Sequence, residues 1–457
     1  MDDACRCHPM FACPPNFTAE YYGKSTKVLE KALSKVPAYE SWRTFDPGRE
    51  HSVDFRYATM PALTKEDIQR HSAQGFVPSD RNLQQGLANK EVSFVESSGT
   101  INEKVTNIWC QKWWDDSEMA SWKLNSFAGK IMTGSHREAI LVNPLNVGIR
   151  SDDRPLPLEE RRLARFLYLN EKTDTLSWTK RHMDRMIEDL KTFKPEVLEA
   201  NPSLLAKLCR YVTESEKPVF QTELIVLTYE SPTNLHLTQI RRVFSAPVAS
   251  SYGTTETGYV FMQCEQGKFH QNTEYCRVDF QPLKPEHGGP YLGRILVTTF
   301  KNPWYCIVRF DVGDLIRIDE SGDCRCGRNS GLTLSAIEGR TNDVTLTCSG
   351  RLVTMRELDN ALNGLEDVDE YQLRQETPET YRLRLVTQHA DRKALSRQTT
   401  EALKRLYGDS AEIVVSYEKG IRQESSGKYR VSGALFPINI EEFIDERVTL
   451  QRSSGNR

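Results

Sequence analysis

No run of about eighteen apolar residues occurs anywhere in the sequence, so no segment is expected to span a membrane. Lys and Arg form no basic block, and the formal charge is only −3, which argues against a dedicated nucleic-acid binder. Internal repeats and low-complexity tracts are missing as well. The first residues, Met-Asp-Asp-Ala-Cys-Arg-Cys-His-Pro, have neither a basic nor an apolar segment, so no secretory signal is expected and a cytoplasmic protein is. The cysteines lack the even count of a disulfide framework. There are eleven, unevenly spread, which suits a reducing compartment where thiols are core residues, metal ligands or nucleophiles.

What the sequence does contain is enough chain for more than one core: 457 residues predict two or more domains. Apolar residues make up 38% and charged residues 27%, the balance of an ordinary globular protein. Residues 1–60 read as a tail followed by short helices. From Pro195 to Val212, the spacing of Leu198, Leu204, Leu205, Leu208 and Val212 predicts one face of an amphipathic helix, broken at Asn201-Pro202. Short apolar runs then take over: Leu224–Leu227, Pro247–Ala249, Ile295–Val297 and Cys306–Val308. Bounded by Gly, Pro and Ser, they predict buried strands alternating with helices, an α/β class. After the polar turn Glu338–Asp343, strands at 381–387 and 412–417 flank a helix at 391–407. The expectation is a large N-terminal domain of mixed sheets and helices, residues 1–340, and a small mobile α+β domain, 341–457.

Several short segments carry chemistry. Ser250-Ser251-Tyr252-Gly253-Thr254-Thr255-Glu256-Thr257-Gly258 follows a predicted strand. Gly253 lets backbone turn beside a ligand, Thr254 and Thr255 offer hydroxyls to phosphate oxygens, and Glu256 offers a carboxylate to magnesium. A polar strand-to-helix turn with Thr or Glu as the cap reads equally well. Ser97-Ser98-Gly99-Thr100 follows the alternating run Val92–Val95 and forms a hydroxyl-rich turn suited to phosphate. Arg309-Phe310-Asp311-Val312-Gly313-Asp314 puts a carboxylate at a Gly turn, where it can accept ribose hydroxyls. Gly339-Arg340-Thr341-Asn342-Asp343 and Ser425-Ser426-Gly427-Lys428-Tyr429-Arg430 complete the series.

In this order and spacing the five segments resemble the adenylate-forming superfamily of acyl-CoA synthetases, peptide-synthetase adenylation domains and luciferases. The stretch Cys324-Arg325-Cys326-Gly327-Arg328 before Ile337–Arg340 is most similar to the phenylacetate-CoA ligase branch, which includes coenzyme-F390-synthetase-like proteins. The resemblance runs from about Val95 to Arg430. It implies that Ser97, Ser98, Gly99 and Thr100 bind phosphate, that Tyr252 lies against adenine and that Thr255 binds the α-phosphate. It further implies that Glu256 holds Mg²⁺, Asp314 binds the ribose hydroxyls and Arg340 approaches ribose or phosphate. Lys428 matches the superfamily's C-terminal lysine, whose ammonium bridges the substrate carboxylate and the α-phosphate as charge builds.

The implied function is ATP-dependent activation of an aryl or other small carboxylic acid to an acyl-adenylate, followed by transfer to coenzyme A. Transfer to an amine or a carrier-protein thiol is the alternative, and a nucleotide-binding protein without catalysis is a second. In the superfamily the small domain rotates about a hinge after the Gly-Arg pair; Asn342 stands at that position, and an ordinary linker is equally consistent. Two departures stand out. Where the superfamily continues Thr-Thr-Gly-x-Pro, this chain reads Thr100-Ile101-Asn102-Glu103-Lys104, and the Pro-Arg-Thr found before the lysine in many members is missing. The acyl acceptor, the acid and the oligomeric state, a homodimer included, stay open.

Cys264, His270, Cys324 and Cys326 offer three thiols and an imidazole, the set of a closed tetrahedral zinc site. Their spacing is not a finger pattern, and buried thiols with a surface His account for it as well. A similar cluster in some phenylacetate-CoA ligase relatives implies structural zinc, with Cys276 and Cys306 as substitutes. Cys5, Cys7, His8 and Cys13 also have ligand types at close spacing, but a chain end is the plainer reading. Trp109, Trp113, Trp114 and Trp122 are expected in the core. His136 reads either as lining the acyl pocket or as facing solvent on a turn.

Overall fold

The computed structural model describes residues 16–96, 105–132, 134–321, 323–365, 368–388, 391–424 and 427–445. These form two compact units. The first comprises the described residues of Met1–Gly129, Ser251–Ile337 and Glu441–Arg457; the second comprises those of Lys130–Ser250 and Glu338–Ile440. Among the described residues no helix is long and apolar enough to cross a membrane.

In the first unit, a 17-residue helix, Ala19–Lys35, precedes the short helices expected near the start, Pro37–Tyr39, Ser41–Phe45 and Val53–Thr59. Thr18 caps it by accepting the Tyr21 N–H, and the helix buries Tyr21, Leu29, Ala32 and Leu33. The sheet of this unit is built from strands Cys276–Pro282, Leu292–Thr299, Phe310–Ile318, Thr333–Arg340, Phe269–Gln271 and Gly258–Gln263, in that spatial order, and then the end of Val248–Thr254. Helix Gln111–Trp122 packs on strand Gly258–Gln263, where Ser117 Oγ accepts the Tyr259 N–H at 3.3 Å. Trp113 and Trp122 are buried and Trp109 stacks against Trp114, so the tryptophans pack as a core group. The strand expected at Cys306–Val308 is absent. That segment is buried, but the Tyr39 hydroxyl accepts from the Val308 N–H at 2.9 Å and donates to the Cys306 carbonyl at 3.1 Å. A side chain there does the work of a neighbouring strand.

The second unit is α/β as expected. Strands Val248–Ser250, Leu224–Leu227, Val197–Ala200, Glu138–Leu141 and Phe166–Tyr168 pair in parallel in that order. Helices Lys180–Phe193, Pro202–Ser215 and Asn234–Val243 cover one face through Leu190, Leu204, Leu208, Ile240 and their neighbours. The helix expected to begin at Pro195 is a strand up to Ala200. Asn201 then caps a new helix, its Oδ1 accepting from the Ser203 and Leu204 N–H groups, with Pro202 at the first position. Leu198 matched the helical spacing, yet Val197–Ala200 lies between two other strands, and tertiary pairing prevails over local period.

Residues 338–440 add a three-stranded sheet to this unit. Val368–Gln375 and Thr380–Thr387 are antiparallel, and Glu412–Tyr417 joins the latter in parallel after helix Arg392–Tyr407. Leu373, Leu383, Leu385, Leu403 and Tyr407 form its core. Polar contacts tie it to the α/β part: Arg210 donates to the Asp369 carbonyl at 2.9 Å, and the Asn234 N–H donates to Asp359 at 2.8 Å.

Candidate functional site

The segment 250–258 forms a hairpin. Strand Val248–Thr254 turns through Thr255, Glu256 and Thr257 into the antiparallel strand Gly258–Gln263. The helix-cap alternative is thereby excluded. A side chain at Gly253 would put its Cβ 2.2 Å from the Gly258 carbonyl oxygen, so only glycine allows so tight a pair. Hydroxyls of Thr254 and Thr257 hydrogen-bond at 3.0 Å, and the Glu256 side chain is buried. Beside Glu256 lies Tyr305, whose buried hydroxyl hydrogen-bonds no described residue; burial, then the Glu256 charge, pushes its pKa well up.

Asp314 was expected on a turn, but it sits within the strand Phe310–Ile318. Pairing with Leu292–Thr299 slips there, between Arg294 and Leu296, so Gly313 marks a bulge in a strand. The slip brings Asp314 to Tyr252, which donates its hydroxyl hydrogen to Asp314 Oδ2 at 2.7 Å. Two segments 62 residues apart thus meet. The first unit therefore holds Tyr252, Gly253, Thr254, Thr255, Glu256 and Asp314, while Arg340 and Lys428 belong to the second. Ser97, Ser98, Gly99 and Thr100 lie outside the described residues, as do Cys5, Cys7, His8 and Cys13.

Arg340 is exposed at the end of Thr333–Arg340. Lys428 follows Gly427 in a closed turn, with the Glu424 N–H donating to the Lys428 carbonyl at 2.9 Å and the Gly427 N–H to the Glu424 carbonyl at 2.8 Å. Glu230, just beyond strand Leu224–Leu227, accepts the neighbouring Tyr429 N–H at 2.6 Å. No motif pointed to Glu230; its place beyond the carboxyl end of a parallel strand was the available signal. His136 is neither on a solvent-facing turn nor isolated. It is buried, 3.3 Å from Glu138 and 2.6 Å from Arg165.

Cys264, His270, Cys324 and Cys326 come together in the first unit, their ligand atoms all within 4.8 Å of one another. Cys264 and Cys324 sulfurs are 3.7 Å apart, and Cys326 Sγ is 3.2 Å from His270 Nε2. A tetrahedron with zinc–sulfur bonds of about 2.3 Å has sulfur–sulfur edges of about 3.8 Å, so the donor set fits zinc. The Thr333 hydroxyl lies 3.4 Å from His270 Nδ1 and orients the ring. Burial pushes the Cys264 thiol up to about 12 and the His270 imidazole down to about 4. Cys276 is buried elsewhere, donating to the Asn272 carbonyl at 3.4 Å; Cys306 lies in the segment held by Tyr39.

No protein-family model matches the sequence. A 2-hydroxyisobutyryl-CoA ligase in the postadenylation state, in complex with 2-HIB-AMP, superposes with a TM-score of 0.66 over 96% of this chain and 94% of the ligase, at 15% identity. An open conformation of that ligase with 2-HIB-AMP and CoA gives 0.55 over 91% of each chain, again at 15% identity. The chain has the fold of this CoA ligase. The resemblance to the adenylate-forming superfamily is thus borne out at the level of fold. By sequence, Protein CapK of Staphylococcus aureus is 22% identical over 247 residues, 53% of this chain and 54% of CapK. The match therefore spans about half the length of that curated relative. On the ligase fold, Tyr252 and Asp314 form a contact pair, and Glu256 closes the same hairpin as Tyr252.

Proposed function

We propose that the protein is an AMP-forming acid–thiol ligase. The observation that carries this reading is the Tyr252–Asp314 contact beside the Glu256 hairpin, on a fold shared with a CoA ligase. A carboxylate of the acid substrate attacks the α-phosphorus of ATP. The new C–O–P linkage forms as the bond to the β-phosphate oxygen breaks, and pyrophosphate leaves. Lys428 faces both anions with its ammonium and offsets their repulsion as the attack proceeds. In the second half-reaction a thiolate of coenzyme A adds to the acyl carbon and AMP departs.

In this reading Tyr252 packs on adenine, Asp314 accepts the ribose hydroxyls, Thr255 and the Ser97–Thr100 loop bind phosphate, and Arg340 approaches ribose or phosphate. Glu256, buried on a turn of threonine hydroxyls, is the carboxylate suited to Mg²⁺, which would neutralise phosphate charge when bound. Residues 341–457 act as the small moving domain, with Asn342 and Asp343 as the hinge. The Cys264, His270, Cys324 and Cys326 set holds structural zinc. The substrate is an aryl or other small acid, and the setting is cytoplasmic. The irregular Thr100–Lys104 segment favours a test of amine and carrier-protein acceptors beside coenzyme A.

An acid-dependent ATP–pyrophosphate exchange screen with aryl, fatty and amino acids decides the matter. Exchange with at least one acid, abolished by Lys428→Ala, is the expected result; no exchange with any acid in the parent protein would sink the proposal.

A further inference from the structure

Lys428 stands on a loop, yet its backbone is fixed from both sides. On one side Gly427 has φ +77°, and a Cβ there would meet Asn143 Cγ at 2.5 Å. Asn143 is fully buried and cannot retreat: its Nδ2 donates to the Thr173 carbonyl at 2.9 Å and to Gln423 Oε1 at 3.2 Å, and its Oδ1 accepts the Leu145 N–H at 3.1 Å. On the other side the Tyr429 N–H donates to Glu230 Oε1 at 2.6 Å. Glu230 Oε2 accepts from the Ser203 hydroxyl at 3.1 Å, and Ser203 lies in the first turn of the helix that Asn201 caps. The Tyr429 hydroxyl donates to the Tyr371 carbonyl at 2.5 Å, and Arg430 donates to Asp343 at 2.8 Å and to the Asn342 carbonyl.

Glu230, like Asp343, brings a carboxyl group to these contacts. Burial raises its carboxyl pKa, against the opposing pull of the Tyr429 amide, Asn201, the Lys428 charge and Ser203. The Lys428 charge is thus one of the influences on this carboxyl. A carboxylate that accepts a backbone N–H makes a short, charge-assisted bond, worth more than a neutral one. Withdrawing Lys428 would leave that carboxylate buried with one favourable charge fewer.

We propose that Glu230 is the positioning residue for Lys428: it holds the adjoining Tyr429 amide, fixing the loop in the arrangement used for adenylation and not for thioester formation. This rests on the reading that Lys428 serves adenylation. The geometry within the unit requires that loss of Glu230 loosen the lysine loop first and leave strand Leu224–Leu227 intact.

The test uses the full chain with Glu230→Ala and Glu230→Gln. Hydrogen exchange at the Tyr429 amide is expected to quicken about 10- to 100-fold in Glu230→Ala, the worth of one charge-assisted hydrogen bond, and less in Glu230→Gln. Amides of Leu224–Leu227 should exchange as in the parent. With whichever of phenylacetate, benzoate, hexanoate or alanine exchanges fastest, kcat for ATP–pyrophosphate exchange should fall by a similar factor. KM for ATP should hold within about threefold, and CoA-dependent consumption of the chemically supplied adenylate within about twofold. Unchanged protection of Tyr429, or an equal fall in both half-reactions, overturns the inference. Failure of the underlying reading looks different: Lys428→Ala would then leave exchange untouched, whatever Glu230 does to the Tyr429 amide.

Discussion

The Tyr252–Asp314 group and the Lys428 loop are held in place by different physics. Tyr252 and Asp314 stand on strands, so ladder hydrogen bonds of the residues around them hold these segments before any side chain acts. Lys428 follows Gly427 outside any strand, and beside two backbone bonds what fixes it is a handful of side chains: Asn143, Glu230, Tyr429 and Arg430. A ladder is lost only with the sheet, whereas a few side-chain contacts can be exchanged for others at modest cost. In the proposed function the group that stays with the nucleotide would have the first support, and the group that leaves between half-reactions the second.

The largest effect should come from the loop. Lys428→Ala is expected to lower acid-dependent exchange by about 10²- to 10³-fold and the melting temperature by no more than a few degrees, since in the proposed reading the lysine serves charge rather than packing. A fall in stability to match would break the contrast.

Metal is next. Chelation, or Cys324→Ser with Cys326→Ser, should remove one equivalent of zinc and lower the melting temperature by about 5 °C or more, because a closed ligand set ties three segments of the first unit. Identical metal content in parent and variant would remove that site.

Two glycines sharpen the comparison directly. Gly253→Ala drives a Cβ against the Gly258 carbonyl inside a ladder, so it should cost about 1–3 kcal/mol of stability, read by denaturant unfolding. Gly427→Ala meets Asn143 on a turn and should depress exchange activity more than stability. Equal stability losses would mean that the loop is as much a part of the fold as the strand.

The smallest effect is with pH. Burial lowers His182 to about 4, with Glu171 opposing and Arg185, Lys172 and Arg161 assisting; burial and Arg210 lower His236 to about 3. Both stay neutral when folded, while unfolded imidazoles take protons near 6.5. The unfolded state therefore binds more protons below that pH. Stability of the second unit should be full above about 6.5, fall by a few degrees of melting temperature near pH 6 and decline further toward 4. His182→Gln should flatten part of that decline.

After 340 the strands at 380–387 and 412–417 and the helix at 392–407 were readable because each keeps a regular period, whereas helix Met355–Ala361 and strand Val368–Gln375 were not read. Pro195–Val212 misled because Leu198 fits a helix by spacing while its strand is chosen by its neighbours. Cys306–Val308 misled for the converse reason: an apolar run signals burial, and Tyr39, far away in sequence, supplies the partner that a strand would have needed. The site residues followed the same division. Tyr252, Glu256, Asp314 and Lys428 sit in short local patterns with glycine. Glu230 and Asn143 do not, since their importance lies in what approaches them from nearly 200 or more residues away.

By itself, the sequence determined the residue types that the chemistry needs and their order along the chain: hydroxyls and a carboxylate at a glycine turn, a second carboxylate, a lysine near the end, and three thiols with an imidazole. Those are properties of side chains and local backbone, so they can be read without a fold. Only the tertiary structure decided that Tyr252 touches Asp314, that four dispersed cysteine and histidine ligand atoms fall within 4.8 Å of one another, and that Glu230 holds the Tyr429 amide beside Lys428. Each depends on a strand slip, a sheet order or a loop docking that brings distant segments within bonding distance, and no local pattern encodes such a distance.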